Sequence, residues 1–450
     1  MAKTINKRVA VIGAGWAGCA AAVTLCRQGH KVTLIEASRT LGGRARAVQI
    51  QDQLLDNGQH IMLGAYTACL DLMRLLKIDQ SKTLLRLPLQ MVYPHQTGMQ
   101  FIAPKLPAPL HLIFALVKTR GLNREDKMAL ARFSTTARWM DWKLNQDCTV
   151  SELLQRYEQT ERLCRLMWNP LCIAALNTPP ERASAQIFLN VLRDSLGANR
   201  LASDMLIPRV DLTHLLPEAA ATYVKQHGGE VIDGLAIHTL VPTENHRWQL
   251  PELTQERSNS SIFDCVIVAT NPDQCARLLG TLRPLSSDDE QFASSEMAFE
   301  YEPITTCYLQ YPESVKLSRP FFALADEPTK NYWGQFIFDR GQLNATQSGL
   351  MAVVVSASTG AIEQSHANLA QAIMQQLAQQ LGIPELAQAL WTKVITEKRA
   401  TFSCTPNLKR PTNQTTFRNL MIAGDFTESA YPATLEAAVR SGVMAAKAIV

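Results

Sequence analysis

The chain has 450 residues, of which 46% are hydrophobic and 19% are charged, and its formal net charge is +4. The length predicts two or three domains, and so mild a charge argues against a nucleic-acid-binding protein. The ten cysteines lack CxxC spacing and no His/Cys cluster has ligand spacing, so we expect reduced thiols, no bound metal and a cytoplasmic location.

The first predicted element is a strand–turn–helix–strand unit at the N-terminus. Residues 9–12 form a short apolar run, which predicts a buried parallel strand. A glycine-rich turn at 13–18 follows, then a helix of small residues over 17–28 and a second strand over 31–35. This order is typical of a dinucleotide-binding unit.

Each glycine of the turn has a separate role. Gly13 permits the tight turn, Gly15 lets the backbone approach a pyrophosphate, and Gly18 lets the helix pack against the strands. The helix N-terminus then offers free N–H groups to the phosphates. Glu36, at the end of the second strand, should accept the ribose 2′-hydroxyl, so a 2′-phosphate and hence NADP are disfavoured in this site.

Gly42, Gly43 and Arg44 follow Glu36 closely. Paired glycines allow backbone N–H groups to contact a pyrophosphate, and an arginine supplies a forked donor. In this arrangement the chain resembles the superfamily of flavin-dependent amine oxidases and carotenoid desaturases, whose members carry an acid followed closely by GGR. The resemblance implies that the cofactor is FAD.

The C-terminal part carries the second half of this signature. Residues 420–423 predict a buried strand that ends at Gly424 and Asp425. In the superfamily the matching acid holds the ribityl chain of FAD, so the resemblance implies that role for Asp425. A helix of small residues is predicted from Thr434, and we expect its N-terminus to face the edge of the isoalloxazine that becomes negative on reduction.

The middle of the chain is predicted to contribute to both domains. Segment 225–241 predicts a strand, a turn and a strand, residues 244–261 a hairpin or loop, and residues 263–270 a buried strand. Further on, the pattern predicts strands over 305–310 and 351–356 and a helix over 367–381.

The predicted fold class is α/β, with a Rossmann-like FAD-binding domain interleaved with an α+β substrate domain, as in amine oxidases and phytoene desaturases. The FAD-binding parts are residues 1–80, 206–290 and 395–450. The substrate-domain parts are residues 81–205, which are mainly helical, and 291–394. The resemblance implies cofactor contacts from Gly13, Gly15, Trp16, Ala17, Gly18, Glu36, Ala37, Gly42, Gly43, Arg44, Asn57, Gly58, Ile237, Gly424, Asp425, Thr434 and Leu435.

Residues 101–120 mix apolar bulk, prolines and flanking basic residues. The pattern fits a buried helix after a proline-rich turn, and it also fits a segment that dips into a membrane surface. No apolar run reaches the roughly 18 residues that a spanning helix needs. Peripheral contact with the inner face of the plasma membrane is therefore the most that this segment predicts.

Four further segments, 55–66, 168–184, 192–197 and 398–406, resemble the bacterial hydroxysqualene dehydroxylases of hopanoid biosynthesis. The resemblance implies a reduction in which hydroxysqualene, a C30 allylic alcohol, loses its hydroxyl and gains a hydride from reduced flavin to give squalene. Such chemistry needs an apolar tunnel and one proton donor. The electron donor to the flavin is left open.

Three side chains are candidates for the proton donor: His60, Asp194 and Tyr431. His60 lies in a glycine-flanked segment expected to face the flavin, and a histidine can donate near neutral pH. Asp194 lies in a substrate-domain helix, where an apolar site would raise its pKa. Tyr431 precedes Pro432 and is expected near the isoalloxazine. Structural roles are open for all three.

Two alternatives stay open. The same fold and cofactor serve FAD-dependent polyprenoid desaturases, which run the opposite way. A prenyl-binding escort protein without flavin is the non-enzymatic alternative, although every cofactor position of the motif is present. An amine oxidase is disfavoured, because Thr434 stands where those enzymes usually place an aromatic residue.

Overall fold

The computed structural model describes residues 6–94, 98–282 and 299–449. Its strands are β1 Arg8–Ile12, β2 Lys31–Ile35, β3 Ala47–Ile50, β4 Gln53–Asp56, β5 Met62–Leu63, β6 Leu84–Leu87, β7 Gln90–Val92, β8 Gln100–Ile102, β9 Met205–Pro208, β10 Glu230–Ile232, β11 Val241–Thr243, β12 Arg247–Gln249, β13 Ile262–Phe263, β14 Cys265–Val268, β15 Tyr301–Gln310, β16 Phe321–Ala323, β17 Phe336–Asp339, β18 Leu350–Val355, β19 Trp391–Phe402 and β20 Leu420–Ile422.

Its α-helices are α1 Trp16–Arg27, α2 Thr67–Leu75, α3 Gln80–Thr83, α4 Leu110–Lys118, α5 Arg124–Trp139, α6 Val150–Arg156, α7 Glu161–Leu163, α8 Asn169–Leu176, α9 Ala185–Leu192, α10 Arg200–Ser203, α11 Leu212–Leu215, α12 Pro217–Gln226, α13 Pro272–Gly280, α14 His366–Leu381 and α15 Leu435–Lys447. Two π-helical segments, Cys164–Trp168 and Arg193–Gly197, continue α7 and α9.

A parallel five-stranded sheet in the order β10-β2-β1-β14-β20 positions the cofactor residues. Its strands come from the N-terminal, central and C-terminal parts of the chain. The central strands are apolar and buried, as expected where helices cover both faces of a sheet. The predicted strands at 9–12, 31–35 and 420–423 are confirmed, and so is the α/β fold class.

The C-terminal helix α15 packs directly on α1. A side chain at Gly442 would overlap the carbonyl oxygen of Ala17, so only glycine permits this approach. The first and last parts of the chain are thereby joined, as the run of small residues in α15 predicted.

The prediction of strand, turn and strand over 225–241 is wrong in part. Residues up to Gln226 belong to α12, which starts with Pro217 in its first turn, a position that proline favours. Only β10 then joins the parallel sheet, beside β2. The next strand, β11, starts at Val241 and pairs with β12, which confirms a hairpin around residue 244.

A second sheet, in the order β16-β17-β18-β15-β19, is antiparallel. The strands predicted at 305–310 and 351–356 and the helix at 367–381 are confirmed within β15, β18 and α14. The predicted domain boundary at 394/395 falls inside β19, and the one at 205/206 falls inside β9. The division into domains stays a prediction.

The two faces of this sheet pack on different partners, because side chains alternate along a strand. On β15, Cys307 and Leu309 point to the outer face and pack in one cluster with residues of α14. Ile304 and Tyr308 point to the inner face, which packs against the helical block between α5 and α9. The inner face therefore belongs to the apolar cluster that also contains residues of the parallel sheet and of the helical block.

Candidate active site

The glycine-rich turn at the start of α1 leaves an open cradle. Gly13 has a φ of +102°, and a side chain there would lie 2.5 Å from the carbonyl oxygen of Ala269. A side chain at Gly18 would overlap the carbonyl oxygen of Gly13. At Gly15, by contrast, a Cβ would meet only the Cα of Gly43, 3.9 Å away. The space beside Gly15 is thus free for a ligand.

The N-terminus of α1 faces this cradle without a competing group. Gly15 caps the helix with no side-chain hydrogen bond, and the first turn contains no acidic residue. The N–H of Gly42 donates to the carbonyl of Ala14 at 2.9 Å, which brings the paired glycines against the turn. Free N–H groups and the helix dipole suit a pyrophosphate.

Glu36 lies at the end of β2, beside the same turn. Its carboxylate accepts hydrogen bonds from the N–H groups of Ala14 at 2.7 Å and Ser38 at 3.0 Å. The chain after β10 crosses here, because the N–H of Leu235 donates to the Glu36 carbonyl at 3.0 Å. Ile237 follows and is buried in the apolar core, whereas Ala37 is exposed.

Arg44 and Asp425 form an ion pair across 381 positions of the chain, with Nη2 2.6 Å from Oδ1. Arg44 also donates to the carbonyl of Ala400 at 2.7 Å. Asp425 follows β20, and the N–H of Gly424 is held by Ser441 of α15 at 2.9 Å. The two halves of the sequence signature therefore meet in one site.

The other predicted cofactor residues lie around this site. Trp16 is buried and donates from its indole N–H to the carbonyl of Ala45 at 3.4 Å. The side chain of Asn57 donates to the carbonyl of Arg44 at 3.2 Å. Thr434 caps α15, with its hydroxyl accepting from the N–H of Ala437 at 3.2 Å, and Leu435 begins the helix.

His60 is held in a defined tautomer beside this site. Its Nδ1 lies 2.7 Å from the carbonyl oxygen of Gly58, which accepts only, so Nδ1 carries the hydrogen. Burial lowers the pKa of His60, and the net pKa stays lowered although the bond to Gly58 acts to raise it. The imidazole is therefore neutral near pH 7, and Nε2 is an acceptor.

The structure brings Asp194 and Tyr431 together, although 237 positions separate them. The hydroxyl of Tyr431 donates to Oδ2 of Asp194, and Arg193 donates to both carboxylate oxygens at 2.7 and 3.2 Å. Arg440 lies over the Tyr431 ring, 5.0 Å from its centroid. Asp194 sits in the π-helical segment Arg193–Gly197, a distortion that is frequent at functional sites.

The protonation states of this pair are opposite. Burial raises the pKa of Asp194, but hydrogen bonds from Arg193 and Tyr431 outweigh it, so the net pKa is lowered. Burial, followed by the bond to Asp194, raises the pKa of Tyr431 to about 12. At neutral pH Asp194 is an anion and Tyr431 keeps its proton.

Sequence reasoning missed a buried acid in α15. Glu436 is 1% exposed and accepts from the N–H groups of Ala68 and Cys69, both at 3.0 Å, at the start of α2. Arg440 binds the same carboxylate at 2.7 Å. The i, i+4 spacing of Glu436 and Arg440 was the available signal.

The family follows from comparison with known proteins. The model of the flavin containing amine oxidoreductase family matches residues 16–450. The chain belongs to this family. It is an FAD-dependent oxidoreductase of the carotenoid desaturase type, and the open cradle beside Gly15 fits this cofactor.

Two relatives show how far the similarity extends. A hydroxysqualene dehydroxylase of Rhodopseudomonas palustris is 28% identical, and the alignment covers 98% of both chains. A 15-cis-phytoene desaturase of an Oncidium hybrid cultivar is 23% identical over 98% of this chain and 77% of its own length. The match to proteins named hydroxysqualene dehydroxylase confirms the resemblance inferred from the sequence.

Solved structures with low identity share the fold. An oxidoreductase from Methanosarcina mazei superposes with a TM-score of 0.71 at 15% identity, covering 98% of this chain and 100% of its own. A putrescine oxidase variant gives a TM-score of 0.70 at 16% identity, covering 99% of this chain and 98% of its own. At such identity the likeness concerns architecture alone.

The segment 101–120 contains strand β8 and helix α4. His111 and Ala115 are buried, and Leu110, Ile113, Phe114 and Val117 form an exposed apolar face. Within residues 6–94, 98–282 and 299–449, no helix combines the length and apolar character needed to cross a bilayer.

Proposed function

We propose that the protein removes the hydroxyl group of hydroxysqualene reductively and releases squalene. The observation that carries this proposal is the match over 98% of both chains to a protein named hydroxysqualene dehydroxylase. Phytoene desaturases also match, but at lower identity, 23% for the Oncidium protein and 22% for one of Synechococcus elongatus. Membership of an oxidoreductase family favours an enzyme over a flavin-free escort protein.

The reaction has a simple balance. The allylic C–O bond breaks, a C–H bond forms at the same carbon, and the oxygen leaves as water after gaining one proton. Bound reduced FAD would supply the hydride. The residues that would hold FAD are those around the cradle, chiefly Gly15, Glu36, Arg44 and Asp425. The protein itself must exclude water, align the carbinol carbon and deliver the proton.

An apolar, aromatic wall suits a C30 hydrocarbon chain. The inner face of the second sheet carries Phe321, Phe336 and Phe338, whose ring centroids are 5.1 and 5.6 Å apart in adjacent pairs. These side chains belong to the same buried cluster as the helices between α5 and α9.

Tyr431 is the residue that we propose as the proton donor. Of the three candidates, Asp194 is ionised and His60 is neutral with its only N–H bound to Gly58. Tyr431 keeps its proton, and its hydroxyl shares that hydrogen with the side chain of Asp194, so transfer requires the hydrogen to turn from Asp194 to the substrate oxygen. Arg440 over the ring and Arg193 beside Asp194 would stabilise the charge that remains after proton transfer.

A single-turnover experiment tests the proposed reaction. The purified holoprotein is reduced anaerobically and mixed with hydroxysqualene, flavin absorbance is followed, and the lipid is extracted. Flavin reoxidation with one squalene per FAD is expected. Bleaching of oxidised protein by a polyprenoid hydrocarbon, with no reaction of hydroxysqualene, would contradict the proposal and identify a desaturase.

We also propose that the exposed face of α4 docks on anionic lipid, which would place the enzyme at the cytoplasmic membrane surface. Residues 80–124 contain no Asp or Glu. The apolar face is flanked by exposed Lys105, Lys118, Arg120 and Arg124. The opposite side of α4 is anchored, because His111 bonds to Ser203 at 3.2 Å. Apolar side chains beside basic ones suit an anionic bilayer, in which a C30 substrate would dissolve.

Vesicle sedimentation tests this surface. The parent protein should bind vesicles of phosphatidylcholine with phosphatidylglycerol more than phosphatidylcholine alone. The double variant Ile113→Asn, Phe114→Asn should lose this binding, and Leu390→Asn, which alters an exposed apolar residue elsewhere, should keep it. Equal binding by all three proteins would contradict the lipid contact.

A further inference from the structure

A hydroxyl group on β15 is buried without a partner. Thr306 is 1% exposed, and its Oγ1 makes no hydrogen bond to any of the residues that the structure describes. Its neighbour Thr305 points to the opposite face and is satisfied by Ser358 at 3.0 Å and Thr396 at 2.9 Å. Because buried polar groups are nearly always paired, the unpaired hydroxyl of Thr306 calls for a ligand.

The space in front of this hydroxyl is bounded by Gly58 and His60. A Cβ placed on Gly58 would lie 3.6 Å from Thr306 Oγ1 and 3.9 Å from His60 Cε1. The absence of a side chain at Gly58 therefore leaves room for a methyl-sized group that would contact both the hydroxyl and the imidazole ring.

The two groups that border this space are complementary. His60 uses Nδ1–H to bind Gly58, so its Nε2 offers a lone pair, and no described residue donates to it. Thr306 offers an O–H donor. The next residue of β15 on the same face, Tyr308, is already engaged, since its hydroxyl donates to the carbonyl of Asp56 at 3.0 Å.

We propose that Thr306 and His60 form a subsite for one neutral, hydroxyl-type oxygen. The oxygen would accept from Thr306 Oγ1–H and donate its own hydrogen to His60 Nε2. A carboxylate would have no hydrogen to give to His60. This inference rests on the proposed function, in which the oxygen is the carbinol hydroxyl of the substrate. Thr306 is then a positioning residue that fixes the carbinol and thereby distinguishes hydroxysqualene from squalene.

Thr306→Val removes the hydroxyl and keeps the shape, and Thr306→Ser keeps the hydroxyl. The affinities of oxidised holoprotein for hydroxysqualene and for squalene are measured from the change in flavin absorbance on titration. Thr306→Val should weaken hydroxysqualene binding about tenfold, equivalent to one hydrogen bond, and leave squalene binding unchanged. Thr306→Ser should bind both lipids within about threefold of the parent.

The thermal stability of Thr306→Val provides a second test. It distinguishes a ligand-binding hydroxyl from one that only stabilises the fold. Because Thr306 Oγ1 lacks a partner in the protein alone, Thr306→Val should leave the thermal midpoint of the ligand-free protein unchanged or raise it. A lower midpoint together with unchanged affinity for both lipids would overturn the subsite.

The remaining outcomes separate the possible sources of the oxygen. If Thr306→Val weakens the binding of both lipids equally and Thr306→Ser restores it, the subsite holds an ordered water.

If the parent protein binds neither lipid, the proposed function fails. Farnesol and farnesene then test the subsite. Loss of affinity for farnesol alone in Thr306→Val supports the subsite, and equal affinities overturn it.

Discussion

The cradle beside Gly15 and the substrate side of this molecule differ in how their polar groups are hydrogen-bonded. Around Gly15, the acids and the arginine are bound to named partners, as in the Arg44–Asp425 ion pair and the contacts of Glu36 with Ala14 and Ser38. On the substrate side the walls are aromatic and aliphatic, and the few polar groups include the unpaired hydroxyl of Thr306.

This difference indicates which part of the molecule determines substrate specificity. A cofactor shared by a whole family needs the same backbone cradle in every member, so its residues are fixed to one another before the ligand arrives. A substrate site that must distinguish an alcohol from a hydrocarbon needs few polar atoms, and at least one of them must be left free for the ligand.

The largest effect on the substrate side is expected when the hydroxyl of Tyr431, the proposed proton donor, is removed. Tyr431→Phe should lower single-turnover reduction of hydroxysqualene by about 10²- to 10⁴-fold, the usual contribution of a general acid, with FAD content unchanged. Asp194→Asn should lower it less, because it alters only the partner of the hydroxyl. Tyr332→Phe, a change at a half-buried tyrosine between β16 and β17, is the control. A rate for Tyr431→Phe within threefold of the parent would exclude Tyr431 as the donor.

The glycine turn allows the cofactor side to be tested separately from the fold. Gly18→Ala should destabilise the protein by about 1–3 kcal/mol or more, because the new methyl group overlaps the Gly13 carbonyl. Gly15→Ala meets no such obstacle and should leave the thermal midpoint of the FAD-free protein nearly unchanged while FAD affinity falls. Equal FAD affinity in Gly15→Ala and the parent would show that the cradle beside Gly15 is not the phosphate site.

Asp56 lies between the two regions and gives a pH-dependent test. Its Oδ1 accepts from the N–H of Leu212 at 2.7 Å, and its carbonyl accepts from Tyr308 at 3.0 Å. Burial raises the pKa of this carboxyl from 3.8 to about 7, although Arg340 lies near enough to lower it. The folded protein therefore binds this proton more tightly than the unfolded chain does.

The sign of the effect follows from this linkage. The free energy of unfolding should decrease as pH rises from about 4 to about 7 and then level off, because the buried carboxyl must ionise in that window. Asp56→Asn keeps the acceptor for Leu212 and should flatten this dependence, stabilising the protein at pH 8 by on the order of 4 kcal/mol. Denaturant unfolding at several pH values measures it, with the exposed Asp52→Asn as control. A parallel pH profile for Asp56→Asn would contradict the raised pKa.

The cofactor side was largely predictable because its signals are local. A strand, a glycine turn, a helix and an acid succeed one another within residues 8–36, and each has a conformational requirement that the residue types reveal. Even so, the roles of Arg44 and Asp425 toward FAD came from the family resemblance, and only the fold shows their ion pair, since no local rule links positions 381 apart. The failed prediction at 225–241 reflects an ambiguous pattern, in which residues before Gly228 suit either a helix end or a strand.

The substrate side was less predictable because tertiary contacts create it. Asp194 and Tyr431 were separate candidates, and only the fold joins them in one hydrogen bond. Thr306 gave no signal, because a threonine in a strand is an ordinary β-branched residue. Its significance depends on what lies opposite, namely Gly58 and His60.

The most direct test of the central claim is single turnover in D₂O. The hydrogen on N5 of reduced flavin exchanges with solvent, so a protein reduced in D₂O carries deuterium there. Our account predicts squalene with one deuterium, bound to the carbon that carried the hydroxyl, and one oxidised FAD per squalene. Squalene without deuterium, or hydroxysqualene recovered unchanged beside reduced FAD, would contradict it.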